Sequence, residues 1–173
     1  MFITPDIKEK VTLISDHDFA KVLLHHSTNQ KALHTTVPFS AGEVISRFGA
    51  KSVHRKATYL TVQIAADKHI TLLPEFLQYI NHSCAPTVFF DTTSMELVCL
   101  RDLQPGDEMT FFYPSTEWEM AQPFNCNCGT PECLKVIQGA AHLSRNVLKK
   151  YRLTDFIRQM KQQASRRALK SRT

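Results

Sequence analysis

The tightest constraint on this chain is a run of three cysteines, Cys126, Cys128 and Cys133, in the stretch Phe124-Asn125-Cys126-Asn127-Cys128-Gly129-Thr130-Pro131-Glu132-Cys133. Their C-x-C-x-x-x-x-C spacing, folded through a Gly-Thr-Pro turn, lets three thiolates converge on one ion. Structural zinc is held tetrahedrally by four Cys or His groups, so a fourth donor must come from elsewhere in the fold. A zinc knuckle with no enzymology is the plainest reading of the cluster taken alone.

The rest of the chain reads as one body. Its 173 residues suit a single domain with a real core. Residues 11–14 and 19–25 read as short strands, residues 29–40 as polar and irregular, and residues 43–48 as a strand entered through Ala41-Gly42. Residues 58–65 alternate, with Leu60, Val62 and Ile64 on one face and Tyr59, Thr61 and Gln63 on the other, which predicts a half-buried strand. Residues 69–73 repeat the pattern, and Pro74 opens a helical turn into Asn81. Residues 87–90 and 95–100 form a hairpin across Asp91-Thr92-Thr93-Ser94, and residues 109–113 a further strand after the turn at Gln104-Pro105-Gly106-Asp107. Beyond Cys133, residues 134–150 and 154–164 carry apolar side chains at helical spacing, with Thr154 and Asp155 placed to cap the second helix. The expected class is mainly β.

No apolar run approaches 18 residues, and the Met1 end lacks a charged segment followed by an apolar one, so neither a membrane span nor secretion is expected. The net charge of +5 comes largely from residues 164–173, with four basic side chains and no acid; the other 163 residues hold 17 basic against 16 acidic groups. A body-wide nucleic-acid footprint is therefore unsupported. The basic end reads as a flexible solvated tail, the one place where nucleic acid could be touched.

Three strings occur in order: Asn81-His82-Ser83-Cys84-Ala85-Pro86, then Gly106-Asp107-Glu108-Met109-Thr110-Phe111-Phe112-Tyr113, then Phe-x-Cys-x-Cys-Gly with a third cysteine. Together they resemble a SET-domain protein lysine methyltransferase with a cysteine-rich post-SET module, over roughly residues 10–140. The resemblance implies a SET-type β-clip fold of short strands, with residues 1–122 as the SET domain, 123–140 as the post-SET zinc module and 141–173 as C-terminal helices and basic tail. It implies Cys84 as the fourth zinc ligand. Cys99, inside an apolar strand, reads as a small core residue. With four of five thiols assigned to metal, a reducing compartment, cytoplasmic or nuclear, fits better than a disulfide framework.

By the same resemblance, S-adenosyl-L-methionine is the methyl donor, and a protein or peptide lysine the acceptor. Asn81 and His82 are expected against the cofactor, and Phe124 and Leu134 are expected to be folded over it by the zinc. The family's glycine-x-glycine loop falls on Gln30 and Ala32, so the loop differs here, with Ala32 and Leu33 the expected contacts. Two smaller departures are Thr87 after the motif proline and Phe112 before the tyrosine. Tyr113 is the expected catalytic residue and Phe111 the expected wall of the lysine channel, with Phe112 and Tyr59 as further walls. Methyl transfer is an in-line displacement that needs a neutral nitrogen aligned with the methyl group. A lysine of pKa near 10.4 is neutral about once in 2,500 molecules at pH 7. An apolar channel would disfavour the ammonium, and the Tyr113 hydroxyl, expected against the cofactor as well, would orient the amine or the methyl. A catalytically silent SET-like module that binds protein through the same groove is the alternative, and a zinc-stabilised nucleic-acid binder a third.

Overall fold

A computed structural model describes residues 10–170. The reading of the Met1 end, and of the last three residues of the basic tail, lies outside the described residues. The chain begins with an antiparallel meander of β1 (Val11–His17), β2 (Ala20–His25) and β3 (Gln30–Thr35). β4 (Val44–Arg47) is followed by a second sheet in the order β5-β7-β6, from β5 (Gly49–His54), β6 (Thr61–Ala65) and β7 (Lys68–Leu73). A 3-10 turn at Glu75–Tyr79 delivers the chain into β8 (Asn81–His82). β9 (Val88–Asp91) and β10 (Glu96–Cys99) form a hairpin that β4 joins, and β11 (Thr110–Phe111) pairs with β8. β12 (Phe124–Asn125) and β13 (Val136–Ile137) close the cysteine loop, and α1 (Arg145–Leu148) and α2 (Asp155–Lys170) end the described chain. The architecture is mainly β, with many short strands and few helices.

The main core lies where these small sheets meet. Phe48, Ile70, Leu77, Ile80, Phe90, Leu97, Met109 and Phe111 share it, and Phe90 meets Phe111 edge-on with ring centroids 4.8 Å apart. Each large side chain buried here contributes roughly 1.5–3 kcal/mol relative to exposure. The hairpin turn closes because Asp91 Oδ1 accepts the Thr93 and Ser94 amides at 3.1 and 3.3 Å. A second core holds Phe112, Ala140, Leu148 and Ile157, and so joins the C-terminal segment to the strand body.

Several sequence expectations are corrected. Residues 29–40 are not irregular throughout, because β3 pairs with β2 from Ala20↔Thr35 to His25↔Gln30 and buries Ala32, Leu33 and Thr35. Tertiary pairing outweighs the polar composition there. The strand at residues 58–65 begins only at Thr61, since Thr58 and Thr61 close a turn on themselves through Thr58 N to Thr61 Oγ1 at 2.9 Å. That strand is also covered on both faces: Gln63 is 5% exposed, its amide oxygen accepting from Trp118 N at 2.9 Å. The strand at residues 109–113 stops at Phe111, and Tyr113 opens a 3-10 turn whose second residue is Pro114, suited to a helical start. No helix fills residues 134–150. Backbone groups there are committed to the cysteine loop, with Leu134 N on Cys84 Sγ at 3.4 Å and Lys135 O on Cys126 N at 2.7 Å.

The second helix does form, and Thr154 caps it by accepting the Ile157 amide at 3.4 Å. It runs on to Lys170, so residues 164–170 are helical rather than a loose tail. No helix among the described residues is long and apolar enough to cross a membrane.

Candidate active site

β8 and β11 run parallel, Asn81 beside Thr110 and His82 beside Phe111. The pairing fixes Cys84 and Tyr113, each two residues beyond it. His82 spans them: Nδ1 accepts from Tyr113 N at 3.2 Å, which leaves Nε2 to donate to Cys84 Sγ at 3.4 Å. Burial lowers the His82 pKa to about 4, so the ring is neutral and serves as a fixed donor and acceptor.

Cys84, Cys126, Cys128 and Cys133 converge, with all four Sγ atoms within 4.8 Å of one another and Cys84 and Cys126 at 4.0 Å. Four thiolates around zinc, at Zn–S distances near 2.3 Å, stand about 3.8 Å apart, so the donor set fits that ion. Burial pushes the Cys84 thiol up to about 11 and raises Cys126 as well, so a divalent cation is what would hold both as thiolates. Four sulfurs leave no open position, which makes such a site structural. Cys99 stands apart, buried in β10 with its thiol donating to Arg101 O at 2.9 Å.

Two cavities meet at this centre. A polar cleft of about 710 Å³ is lined by Thr28, Gln30, Asn81, His82, Glu108 and Thr110, among others. An apolar cavity of about 260 Å³ lies among Val62, Leu72, Leu77, Ile80, Phe111 and Pro123, with Tyr59 at its edge. Tyr113 and Phe124 belong to both. Their rings stand edge to face with centroids 6.0 Å apart, and Phe111 lies 4.6 Å from Tyr113. β12 holds Phe124 in place by pairing it with Ile137. The Tyr113 hydroxyl makes no hydrogen bond among the described residues, and burial, reinforced by Glu108 and Glu117, pushes its pKa up to about 12. It stays protonated, able to donate and accept.

The structure brings Phe111, Tyr113, Asn81, His82, Phe124 and the four cysteines together. Asn81 is anchored through Nδ2 to Lys31 O at 2.9 Å and Glu108 Oε1 at 3.3 Å. Ala32 and Leu33 lie elsewhere: their side chains are in the core, and Leu33 O is occupied by Met109 N at 2.8 Å. Thr28 and Gln30 stand at the cleft instead. Leu134 packs on the cysteine cluster rather than on the cleft wall.

Phe112 is not a wall of the apolar cavity. Neighbouring residues of an extended segment point to opposite sides; Phe112, 2% exposed, stacks on Tyr151 at 3.6 Å and 6°. Tyr59 does touch the cavity, but at 79% exposure it stands at the mouth. Two acids were missed by the sequence reading, Glu108 in the cleft and Glu117 in the cavity. Glu108 lay inside a string already singled out. Glu117 follows Tyr113 by four residues across Pro114, a spacing that returns a side chain to the same side of a turn.

Comparison with known proteins points to one family. Residues 4–114 match the SET domain family. Methyltransferase flvH of Aspergillus flavus is 41% identical over 126 residues, which cover 72% of this chain and 70% of that protein. The histone-lysine N-methyltransferase Suv4-20 of Caenorhabditis elegans is 42% identical over 64 residues, 36% of this chain and 21% of that protein. The H3 lysine-36 specific histone-lysine N-methyltransferase of Schizosaccharomyces pombe is 36% identical over 69 residues, 36% of this chain and 8% of that protein.

Proposed function

The chain belongs to the SET-domain family of methyltransferases, and from that premise we propose that it transfers a methyl group from S-adenosylmethionine to the side-chain amine of a lysine in a protein substrate. The observation that carries this reading is the meeting of a polar cleft and an apolar cavity at Tyr113 and Phe124. A charged amino-acid sulfonium and an aliphatic side chain need such unlike surroundings, and the reaction needs their ends in line. The sulfonium supplies an electrophilic methyl group.

The protein's part is binding and alignment. Asn81 through its Oδ1 and Glu108 offer the cleft acceptors for an α-ammonium, while His82, both of its nitrogens engaged, fixes the backbone around them. Phe111, Val62 and Leu77 strip water from a lysine stem and weaken its hold on the proton. The Tyr113 hydroxyl directs the nitrogen lone pair toward the cleft. Cys84, Cys126, Cys128 and Cys133 would hold structural zinc, and His82 would transmit the order of that cluster to the Tyr113 backbone. Functionally we divide the chain at residues 1–122, 123–140 and 141–173, as catalytic body, zinc module and C-terminal buttress. Relatives named for histone lysines support a protein substrate. That substrate and the thiol cluster support a reducing, intracellular setting.

Calorimetric titration of the zinc-loaded protein with S-adenosylmethionine, followed by label transfer to recombinant histones and to cell-extract proteins, tests the reading. Saturable binding and labelled lysine are expected. Tyr113→Phe should keep the binding and lose turnover by about 10²-fold, the scale of one positioned catalytic group. Absence of cofactor binding would favour the silent module instead, for which Gln30 at the cleft in place of a glycine is the supporting observation.

A further inference from the structure

Glu117 is the exception in the apolar cavity: a carboxyl group, 6% exposed, among mainly aliphatic and aromatic side chains, the other polar ones, Thr58, Thr61, Gln78 and Gln122, being uncharged. A buried carboxylate is costly unless paired or given hydrogen bonds. Among the described residues no cation lines this cavity, and its other titratable groups, Tyr59 and Tyr113, are phenols. β6 brings Gln63 and no charge. From α2, Lys161 is spent on Ala140 O at 3.3 Å and on Leu143 O, while it lies over the Trp118 ring. Glu108 stands on the cleft side of Tyr113.

The carboxyl is held by one oxygen. Gln63 N donates to Oε1 at 2.8 Å and the Thr116 hydroxyl donates to it at 3.2 Å. Oε2 makes no hydrogen bond among the described residues. The backbone under it is equally fixed: Glu117 N donates to Tyr113 O at 3.0 Å, and Ala140 N donates to Glu117 O at 2.9 Å. A pinned acid with one oxygen unspent, one turn beyond Tyr113, has the form of a proton acceptor rather than of a structural ion pair.

We infer that Glu117 takes the ammonium proton of the target lysine before methyl transfer, an assignment that rests on reading this cavity as the lysine channel. Burial, partly offset by the two hydrogen bonds, raises the Glu117 pKa to about 7, so both forms are populated at neutral pH, as a base turning over there requires. The ammonium proton passes to the carboxylate, giving a neutral amine and a carboxylic acid. The nitrogen lone pair then forms the N–C bond as the C–S bond breaks, its electron pair remaining on sulfur. The positive charge moves from the sulfonium to the new methylammonium. The acid returns its proton to water after product leaves, one proton released for each methyl transferred.

Glu117→Gln keeps a carbonyl oxygen for Gln63 and Thr116 but accepts no proton. Single-turnover rates of parent and variant would be read from about pH 6 to about pH 10, on a lysine peptide labelled by the parent and on the same peptide carrying thialysine, whose amine is less basic. The parent should show an inflection near pH 7. The variant should lose it, fall about 10²-fold behind at pH 7, approach the parent at high pH, and recover part of the gap on thialysine, with cofactor affinity unchanged. Glu117→Asp, a carboxylate set back by one methylene, should be slower yet retain the inflection. An unchanged profile in Glu117→Gln, or a parent curve without the inflection, overturns the inference while lysine methylation stands. A parent that binds cofactor yet methylates no lysine overturns both.

Discussion

Phe111 and Glu117 touch the same cavity and act on it in different ways, one through shape and the other through charge. In enzymes with these motifs, the residue two before the tyrosine sets how many methyl groups are added. A tyrosine hydroxyl there anchors a water in the space a methylated nitrogen needs to turn, and Phe111 holds no such water. The parent should therefore reach di- or trimethyl-lysine, and Phe111→Tyr should stop mainly at the monomethyl stage with first transfer intact. Mass spectrometry of a peptide product decides it; a parent that stays at monomethyl-lysine with excess cofactor removes Phe111 from this role. Glu117 also leaves a mark on stability. Its folded pKa of about 7 lies above its ordinary 4.5, so between these values the folded chain holds more protons than the unfolded one. The sign follows: stability falls as pH rises from about 4.5 to about 7 and is level above, by at most ~3 kcal/mol. Unfolding temperatures measured across pH 5–8 should fall more steeply in the parent than in Glu117→Gln, and parallel slopes would contradict the burial argument.

At the scale of elements, the strands that alternate were legible and those built by partners were not. β7 and the β9–β10 hairpin follow from spacing and turn residues. β3 does not, because Gln30, Lys31 and His34 hide two buried apolar residues that only pairing with β2 brings inside. The helix expected at residues 134–150 failed because its apolar positions serve different partners: Leu134 the cysteines, Ile137 the pairing with Phe124, Leu148 the Phe112 core. Gly139 enforces that break. Its φ is +112°, and a Cβ there would lie 2.5 Å from Trp118 O. Gly139→Ala should therefore cost roughly 2–3 kcal/mol, about 5–10 °C in unfolding temperature for a domain of this size. A calorimetric scan showing no change would mean that the segment relaxes freely.

Across the whole molecule, the four-cysteine set is the part most legible in the sequence, since three of its members share a short loop. The position of Glu117 is the least legible, because burial of a carboxyl depends on contacts from Gln63 far away in the chain. Purified protein should carry about one zinc, and Ser in place of Cys84, Cys126, Cys128 or Cys133 should release it, while Cys99→Ser should not. Chelation should raise hydrogen exchange in residues 123–137 and abolish cofactor binding, leaving the main core folded; stoichiometric zinc in Cys84→Ser would refute the fourth ligand. The tie between Cys84 and Cys126, 42 residues apart, and the Tyr151 ring stacked on Phe112 with its hydroxyl donating to Cys84 O at 3.0 Å, also set an order of maturation. A ribosome that has made Asn81 through Tyr113 has still to make Glu117 and Phe124, which complete the tyrosine centre, and the cysteine loop and Tyr151 that close it. Domains emerge N-terminal end first, so a nascent chain has no working centre until the Tyr151 region is free. Stalled or prematurely terminated translation products should then be inert, and competence should arrive in one late step rather than by degrees.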